Sequence, residues 1–325
     1  MRAQVFAVLV LAGCQTQTTS NISVKDAKEV VADFEEITST PPPRSIISVL
    51  KNWEDNLFKG WQGKLARIHE IAGINGSCHQ DPSLTYKEVL KTASGLRQKT
   101  LSRTLQHNAY NHFLNGHVPR MRQFAKGAML HTPGNWAADI GYTKADIAFY
   151  EASVGNLPDA KSAIGGAYGM ERKQGSWQTY GRFRQLRGEG AVARLSGDED
   201  EALGYYLNAV KTSRESSYEG RNWKLKEYGA DQVIGVIAEI VDIYRIRGEL
   251  KEAESIALHE LKRNSSGYFF EKPETSILIT RFAQVLYDLG RYDEALAAAE
   301  LSMRLFDFKC VPADSFFYTR SLMVL

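Results

Sequence analysis

Apolar side chains return along most of this chain at the spacing of one face of an α-helix. From Ile46 to Trp61 they stand at positions 46, 49, 50, 53, 57 and 61, and steps of three or four residues place them on one side of a helix. Proline breaks helix interiors, and it occurs nine times, three of them adjacent in "TPPPRSI". The pattern predicts a protein that is helical over most of its length.

One short pattern divides the second half of the chain into units. A glycine is followed five residues later by an alanine in "GNLPDA", "GDEDEA", "GELKEA" and "GRYDEA", and the four glycines are 42, 51 and 42 residues apart. The pairs are Gly155 and Ala160, Gly197 and Ala202, Gly248 and Ala253, and Gly290 and Ala295. A weaker fifth copy around Gly116 has Met121 in place of the alanine. The chain is therefore predicted to repeat one structural unit.

The physical requirements of a helical hairpin explain this pattern. Glycine ends a first helix because the cap position needs a left-handed conformation that other residues resist. Acidic residues after the glycine suit the positive end of a second helix, and the alanine lies where a larger side chain would push the two helices apart. Each hairpin buries its second apolar face only against the next hairpin, so the units are expected to stack.

These units resemble tetratricopeptide repeats. The best copy lies in residues 279–306, where Gly290, Tyr292 and Ala295 match the family's G-x-Y-x-x-A core. The resemblance covers residues 101–325 and implies an all-α fold, a right-handed α-solenoid of helix–turn–helix repeats. In the family, the first helices line the inner face of the superhelix, and that face binds partner proteins.

The family's inner-face positions, carried onto this sequence, define a candidate groove. Its residues are Tyr142, Phe149, Arg184, Arg187, Arg194, Asp242, Arg245, Gln284 and Tyr287. Arginine forks pair with carboxylates, and aromatic rings anchor apolar side chains. The set therefore favours a protein or peptide partner with acidic or C-terminal carboxylate groups. A solvated basic helix face would have the same composition and stays an open alternative.

The first fourteen residues, "MRAQVFAVLVLAGC", have the positive start and short apolar run of a targeting segment. The run from Val5 to Leu11 is too short to span a bilayer, which takes ~20 helical residues. Its end resembles the lipobox of bacterial lipoproteins, which implies removal of residues 1–13 as a signal peptide and lipidation of Cys14. By the same resemblance, Gln15 implies an outer-membrane location that faces the periplasm.

Composition divides the remainder into three regions. Residues 14–43 are rich in Thr, Ser, Gln and Pro and are expected to form a tether that begins at the lipidated cysteine. Residues 44–100 are expected to form a helical N-terminal region, and residues 101–325 the repeat array. The sequence ends in "SLMVL", where the glycine and second helix of a further hairpin are expected, so the array is predicted to be incomplete at its C-terminus.

Charge and candidate chemistry point away from catalysis. Forty Lys and Arg against 38 Asp and Glu give a net charge of +2, too balanced for a chain-wide nucleic-acid surface. Cys78 and His79 are neighbours on one segment, whereas peptidase dyads are assembled from separate segments. The cysteine and histidine spacings match no metal motif. We expect no cofactor, no metal and no enzymatic activity.

The sequence therefore predicts a lipid-anchored protein-interaction scaffold or adaptor of the bacterial cell envelope. A second interpretation comes from "TPPPRSI", which resembles segments that precede repeat arrays in bacterial proteins with a caspase-like CHAT peptidase domain. In that case the repeats would regulate, or present substrate to, a peptidase domain beyond residue 325.

Overall fold

The computed structural model describes residues 86–92, 98–114, 116–132, 137–174, 179–218, 230–264 and 273–308, together with residue 323. Within these ranges the regular secondary structure is entirely α-helical, which confirms the predicted all-α class. The helices are α1 (Tyr86–Thr92), α2 (Gln98–Leu114), α3 (Val118–Leu130), α4 (Ala137–Ser153), α5 (Leu157–Gln174), α6 (Thr179–Leu195), α7 (Glu199–Tyr218), α8 (Ala230–Ile246), α9 (Leu250–Asn264), α10 (Pro273–Asp288) and α11 (Tyr292–Phe308). The predicted signal peptide, the tether and most of the region 44–100 lie outside the described residues.

From α2 onward the described helices form hairpins of α2 with α3, α4 with α5, α6 with α7, α8 with α9, and α10 with α11. Each of these turns contains a glycine with a positive φ, between 71° and 85°. The glycine N–H donates to the carbonyl three residues back over 2.9–3.0 Å, and the next N–H donates to the carbonyl five residues back over 2.8–3.0 Å. This is the hydrogen-bond pattern of a Schellman cap. The glycines are Gly116, Gly155, Gly197, Gly248 and Gly290.

Small residues occupy the positions where the two helices of a hairpin cross. Ala160, Ala202, Ala253 and Ala295 are at most 1% exposed, and Met121 holds the same position in the first hairpin, fully buried. A buried position with no free space accepts little extra volume. The five-residue spacing from glycine to alanine is thus a packing requirement between the helices of one hairpin.

In the third hairpin, a glycine on the first helix also provides space between the two helices. A Cβ built on Gly190 of α6 would lie 2.5 Å from Cε1 of Tyr206 on α7, and the tyrosine is 1% exposed. A glycine thus makes room for a whole aromatic ring. At the position of Gly190 the fourth and fifth hairpins have Val241 and Ala283, both fully buried, opposite much smaller partners.

The junctions from the second to the fifth hairpin are of two kinds. At two tight junctions, α4 packs along α6 and α8 packs along α10. Between the third and fourth hairpins, α8 packs against α7, and α6 reaches α8 through ion pairs of Arg194 with Glu239 and Asp242. We call this the wide junction. The turn glycines on its two sides are 51 residues apart, whereas those across each tight junction are 42 apart.

The hydrophobic core has two main parts. The larger part is mostly aliphatic and runs through α6–α11, and the smaller is built around the aromatic residues Phe113, Phe124 and Tyr150 in α1–α4. Ile277 of α10 packs against this N-terminal aromatic cluster. The stacked hairpins confirm the predicted α-solenoid, and the array curls until its last described hairpin contacts the N-terminal aromatic cluster.

Candidate functional site

Because the array curls, the first helices of the five hairpins surround one chamber of about 310 Å³. This volume lies at the lower end of the ~300–1,000 Å³ found for small-molecule pockets. The lining residues are Tyr110, Phe113 and Leu114 of α2; Phe149, Ala152 and Ser153 of α4; Arg187, Ala191, Arg194 and Leu195 of α6; Tyr206 of α7; Gln232, Gly235 and Glu239 of α8; and Glu274, Ile277, Thr280 and Arg281 of α10.

Helical spacing explains how α8 and α10 each contribute one strip of wall. Glu274, Ile277 and Arg281 are separated by three and four residues, so they share one face of α10. Gln232 and Glu239 are likewise two turns apart on α8, or ~10 Å along the helix axis. Each strip therefore has a polar residue near the N-terminal end of its helix and a charged residue two turns further on.

The α2–α4 side of the chamber is an aromatic wall. The ring of Phe113 lies 5.6 Å from that of Phe149 in an edge-to-face arrangement, and 6.4 Å from that of Tyr110. Such ring pairs add ~0.5–1.5 kcal/mol to the free energy from burial alone. Ile277 faces this wall from α10, so this part of the chamber is apolar.

Two arginines of α6 share one carboxylate of α4. Arg184 Nε donates to Asp146 Oδ1 over 2.7 Å, and Arg187 Nη2 donates to the same oxygen over 2.9 Å. All three side chains are buried. The guanidinium of Arg187 also lies 4.3 Å above the ring centre of Phe149, which is a cation–π contact. The ion pairs cross the tight junction between α4 and α6 and connect it to the aromatic wall.

A second ion-pair cluster lies across the wide junction, centred on the fully buried Asp242 of α8. Its carboxylate pairs with Arg194 of α6, with Arg245 over 3.1 Å, and with Arg281 of α10 over 3.1 Å. Arg194 also pairs with Glu239. Burial lowers the pKa of Arg194, but the two carboxylates outweigh burial and hold it above the usual value. Arg194 therefore stays ionised.

These contacts change the interpretation of the arginines. The predicted groove assigned Arg184, Arg187, Arg194 and Arg245 to the carboxylates of a partner, and the structure gives each of them a carboxylate of this chain. A buried arginine that already has a carboxylate gains little from a second one, because both charges must remain desolvated. The charge of the lining does not support the expectation of an acidic partner.

The structure divides the predicted groove residues into three groups. Phe149, Arg187 and Arg194 line the chamber. Tyr142, Arg184 and Asp242 are buried beneath it, and Arg245 joins the second ion-pair cluster at its margin. Gln284 and Tyr287 lie nearer the turn of the last hairpin. Gln284 accepts a hydrogen bond from Arg281 over 3.1 Å, and Tyr287 is 53% exposed with its ring 5.2 Å from that of Tyr292.

Four charged or amide residues of the lining were missed by the prediction. Gln232 and Glu274 stand sixteen residues before their turn glycines, and Glu239 and Arg281 stand nine before them. The family positions used for the prediction are about thirteen, ten, six and three before the glycine. Steps of three and four from position thirteen also reach sixteen and nine, so the helical period alone could have identified them.

Glu274 and Gln232 each have one side-chain oxygen without a hydrogen bond in the described part of the chain. Glu274 is 3% exposed, and Oε1 of each residue is buried without a hydrogen bond among the described residues. Burial raises the pKa of Glu274 to about 7, although a hydrogen bond from its own backbone N–H acts in the opposite direction. A carboxylate oxygen that is buried without a hydrogen-bond donor is energetically unfavourable. This oxygen distinguishes the Glu274 end of the chamber from the end that contains the arginines.

Other candidate chemistry lies elsewhere. Cys14, Cys78 and His79 lie outside the described residues. The described part of the chain contains no group of three His, Cys, Asp or Glu side chains arranged to hold a metal ion. His112 and His117 are close, with ring centres 5.9 Å apart, and His112 stacks on Phe124 in the N-terminal core. No described helix is both long and apolar enough to cross a membrane.

Comparison with known proteins finds similarity to solved structures. No protein-family model matches the chain, and no curated protein matches it. A crystal structure of a signal transduction ATPase with numerous domains (STAND) that has a tetratricopeptide repeat sensor, from Pyrococcus horikoshii, is similar at 15% identity and a TM-score of 0.45. The match covers 94% of this chain and 43% of that one, so the chain spans less than half of its length. A similarity at this level adds nothing to the geometry of the hairpins themselves.

Proposed function

We propose that this chain is a non-catalytic interaction scaffold that binds a segment of another protein on the inner face of its helical array. The observation that carries the proposal is the chamber, where the first helices of five hairpins converge. Binding sites combine apolar walls with a few oriented polar groups, and the chamber has both. Its lining consists of aromatic, aliphatic, amide, carboxylate and guanidinium groups, which suit recognition.

The size of the chamber limits what can enter. An α-helix with its side chains is ~10–12 Å across, which is too wide for an enclosed space of about 310 Å³. One or two side chains of an extended segment do fit this space. The bound protein is therefore proposed to insert an anchor residue into the chamber while the rest of the segment lies on the rim.

Site-specific photo-crosslinking tests the proposal. A benzophenone amino acid at Phe149, in the aromatic wall, should give a discrete covalent adduct with a partner protein in cells that contain the natural partners. The matched control has the same amino acid at Leu296 of α11, which is 46% exposed and does not line the chamber. The proposal fails if Phe149 gives no adduct, or if Leu296 gives the same adduct.

We also propose that a lipid on Cys14 holds the scaffold at the outer membrane, facing the periplasm. The leader "MRAQVFAVLVLAGC" and the following Gln15 support this location, because an acyl anchor needs no membrane-spanning helix. Replacement Cys14→Ser should abolish incorporation of labelled palmitate and move the protein from the membrane fraction to the soluble fraction. An unchanged distribution and unchanged labelling would contradict the anchor.

A further inference from the structure

Two hydrogen-bond acceptors without donors lie at one end of the chamber. Glu274 and Gln232 stand near the N-terminal ends of α10 and α8, which pack along each other. Both residues line the chamber, and Oε1 of each is buried without a hydrogen bond in the described part of the chain. Gly235, one turn after Gln232, faces Glu274, since a Cβ built on it would lie 3.6 Å from the glutamate Cγ.

A hydrogen-bond donor would satisfy both oxygens. Within the described part of the chain, no hydrogen bond reaches either of them from the arginines that line the chamber, although Nε of Arg187 and of Arg281 is likewise buried without an acceptor. Arg187, Arg194 and Arg281 each have a carboxylate of this chain, in Asp146, Glu239 and Asp242. Glu274 also stands two turns before Arg281, or ~10 Å along the axis of α10. The acceptor end is thus distinct from the arginine end, and an external donor would relieve the cost of two buried oxygens.

We propose that the chamber takes the side chain of a lysine from the bound protein segment, with its ammonium group on Glu274 and Gln232. An ammonium group has three donors and no acceptor, which suits a site that offers two acceptor oxygens. A lysine side chain buries its methylene stem along apolar surface, and Ile277, one turn from Glu274, supplies that surface. This inference rests on the proposed function and specifies the anchor residue of the partner.

The test uses the full chain and three blocked pentapeptides that differ only at the central residue, which is lysine, acetyl-lysine or norleucine. Binding is measured by ligand-observed NMR titration. The lysine peptide is expected to bind at least ~10-fold more tightly than the other two, a difference of ~1.4 kcal/mol. Acetylation removes the charge and two of the three N–H donors, and norleucine removes the nitrogen, so the first weakens the contact to Glu274 and the second abolishes it.

Two variants identify the site. Glu274→Gln keeps the shape of the side chain but removes its charge, and it should bring the affinity for the lysine peptide down to that for norleucine. Glu300→Gln is the matched control, because Glu300 lies on α11 with its side chain 52% exposed, and it should leave all three affinities unchanged. A thermal melt of each variant monitored by circular dichroism establishes that it is folded.

Several outcomes would overturn the inference. Equal affinity for lysine and norleucine would show that no ammonium group is recognised, and unchanged selectivity in Glu274→Gln would place recognition elsewhere. If n-butylammonium chloride bound as tightly as the lysine peptide, the ligand would be a free amine instead of a protein segment. Crosslinking from Phe149 that persists without lysine selectivity would refute this inference alone, whereas amine binding without any adduct would refute the proposed function.

Discussion

The tight and wide junctions show two ways of joining the same hairpin unit. At the tight junction between α4 and α6 the backbones approach so closely that a Cβ on Gly188 would lie 2.7 Å from the carbonyl oxygen of Ala145. At the wide junction, α6 is joined to α8 by the ion pairs of Arg194. Close backbone packing leaves no space between α4 and α6, whereas side-chain bridges leave the space that becomes the chamber. The wide junction thus provides the space, and the tight junction of α8 with α10 provides the wall that carries Gln232 and Glu274.

The largest expected effect comes from removing the carboxylate at the centre of the wide junction. Asp242→Asn leaves Arg194, Arg245 and Arg281 without their shared partner, and breaking a buried ion pair from one side costs ~3–5 kcal/mol. The free energy of unfolding, measured by urea denaturation, should fall by about that amount. Asp288→Asn is the control, because it removes only the outer partner of Arg245, and such exposed pairs contribute ~0–1 kcal/mol. Equal losses in the two variants would refute the central role of Asp242.

The second effect concerns the buried acceptor of the chamber and depends on pH. The pKa of Glu274 is raised from 4.5 to about 7, so its contribution to stability is fully present below pH 4.5 and is lost as the pH rises through 7. Glu274→Gln removes this loss. At pH 8 the variant should therefore be more stable than the wild type by about 3 kcal/mol, with the difference vanishing near pH 4.

Urea unfolding of both proteins at pH 4.5 and pH 8 measures this difference. A variant that is no more stable than the wild type at pH 8 would show that Glu274 has a donor in the folded protein. If the variant is stabilised but no longer selects lysine, the carboxylate is retained for binding at a cost to stability.

The third prediction tests the close approach at the tight junction. Gly188→Ala places a methyl group against the carbonyl of Ala145, and backbone cannot move aside as a flexible side chain can. Overpacking of this kind costs ~1–3 kcal/mol. Gly165→Ala on α5 is the matched control, because a Cβ there meets nothing within 4 Å and alanine favours the helix by ~1 kcal/mol. Thermal melts should therefore shift in opposite directions, and a shift in the same direction would contradict the tight packing.

The smallest expected effect is a pH dependence of stability that distinguishes the N-terminal hairpin from the chamber. Burial, followed by repulsion from His117 and Arg120, lowers the pKa of His112 from 6.5 to about 4. The stability due to the neutral imidazole is present above pH 6.5 and is lost as the pH falls towards 4. Acid should therefore lower the stability of this hairpin. Protonation of Glu274 in acid should instead raise the stability of the helices around the chamber.

His112→Phe isolates the histidine, because a phenyl ring can keep the stack on Phe124, whose ring centre lies 4.9 Å away. Protonation of Glu274 stabilises both proteins over the same pH range, so the informative quantity is the difference between their thermal midpoints. The midpoint of the variant should rise relative to that of the wild type between pH 7 and pH 5. The same pH dependence in both proteins would assign the acid sensitivity to other groups.

How much of this could be predicted depends on whether a residue acts within its own hairpin. Gly155 and Ala160 serve one turn and one crossing, so their spacing alone predicts the hairpin. Asp146 and Arg187 are 41 residues apart and meet only because α4 and α6 pack together. No local pattern indicates such a pair, so the arginines could be placed on the inner face but not matched with their carboxylates.

The wide junction corresponds to a feature of the sequence that could not be interpreted from the sequence alone. The interval of 51 residues between Gly197 and Gly248 differs from its neighbours, but an extra stretch of chain can also form a longer loop at an ordinary junction. The buried Oε1 of Glu274, which has no hydrogen bond among the described residues, could not be predicted from the pattern either, because an acidic residue in the first turn of a helix is expected there for its effect on the helix dipole. Its function appears only when the opposite walls of the chamber are in place.

The contact of Ile277 with the N-terminal aromatic cluster has a consequence for how the molecule unfolds. In an open solenoid each repeat contacts only its neighbours, so repeats at one end can unfold while the other end remains folded. Here the last described hairpin packs against the N-terminal aromatic cluster of α1–α4, so loss of either end removes a contact from the other. The array should therefore unfold in a single cooperative transition, and the chamber should open and close as a property of the whole ring of helices.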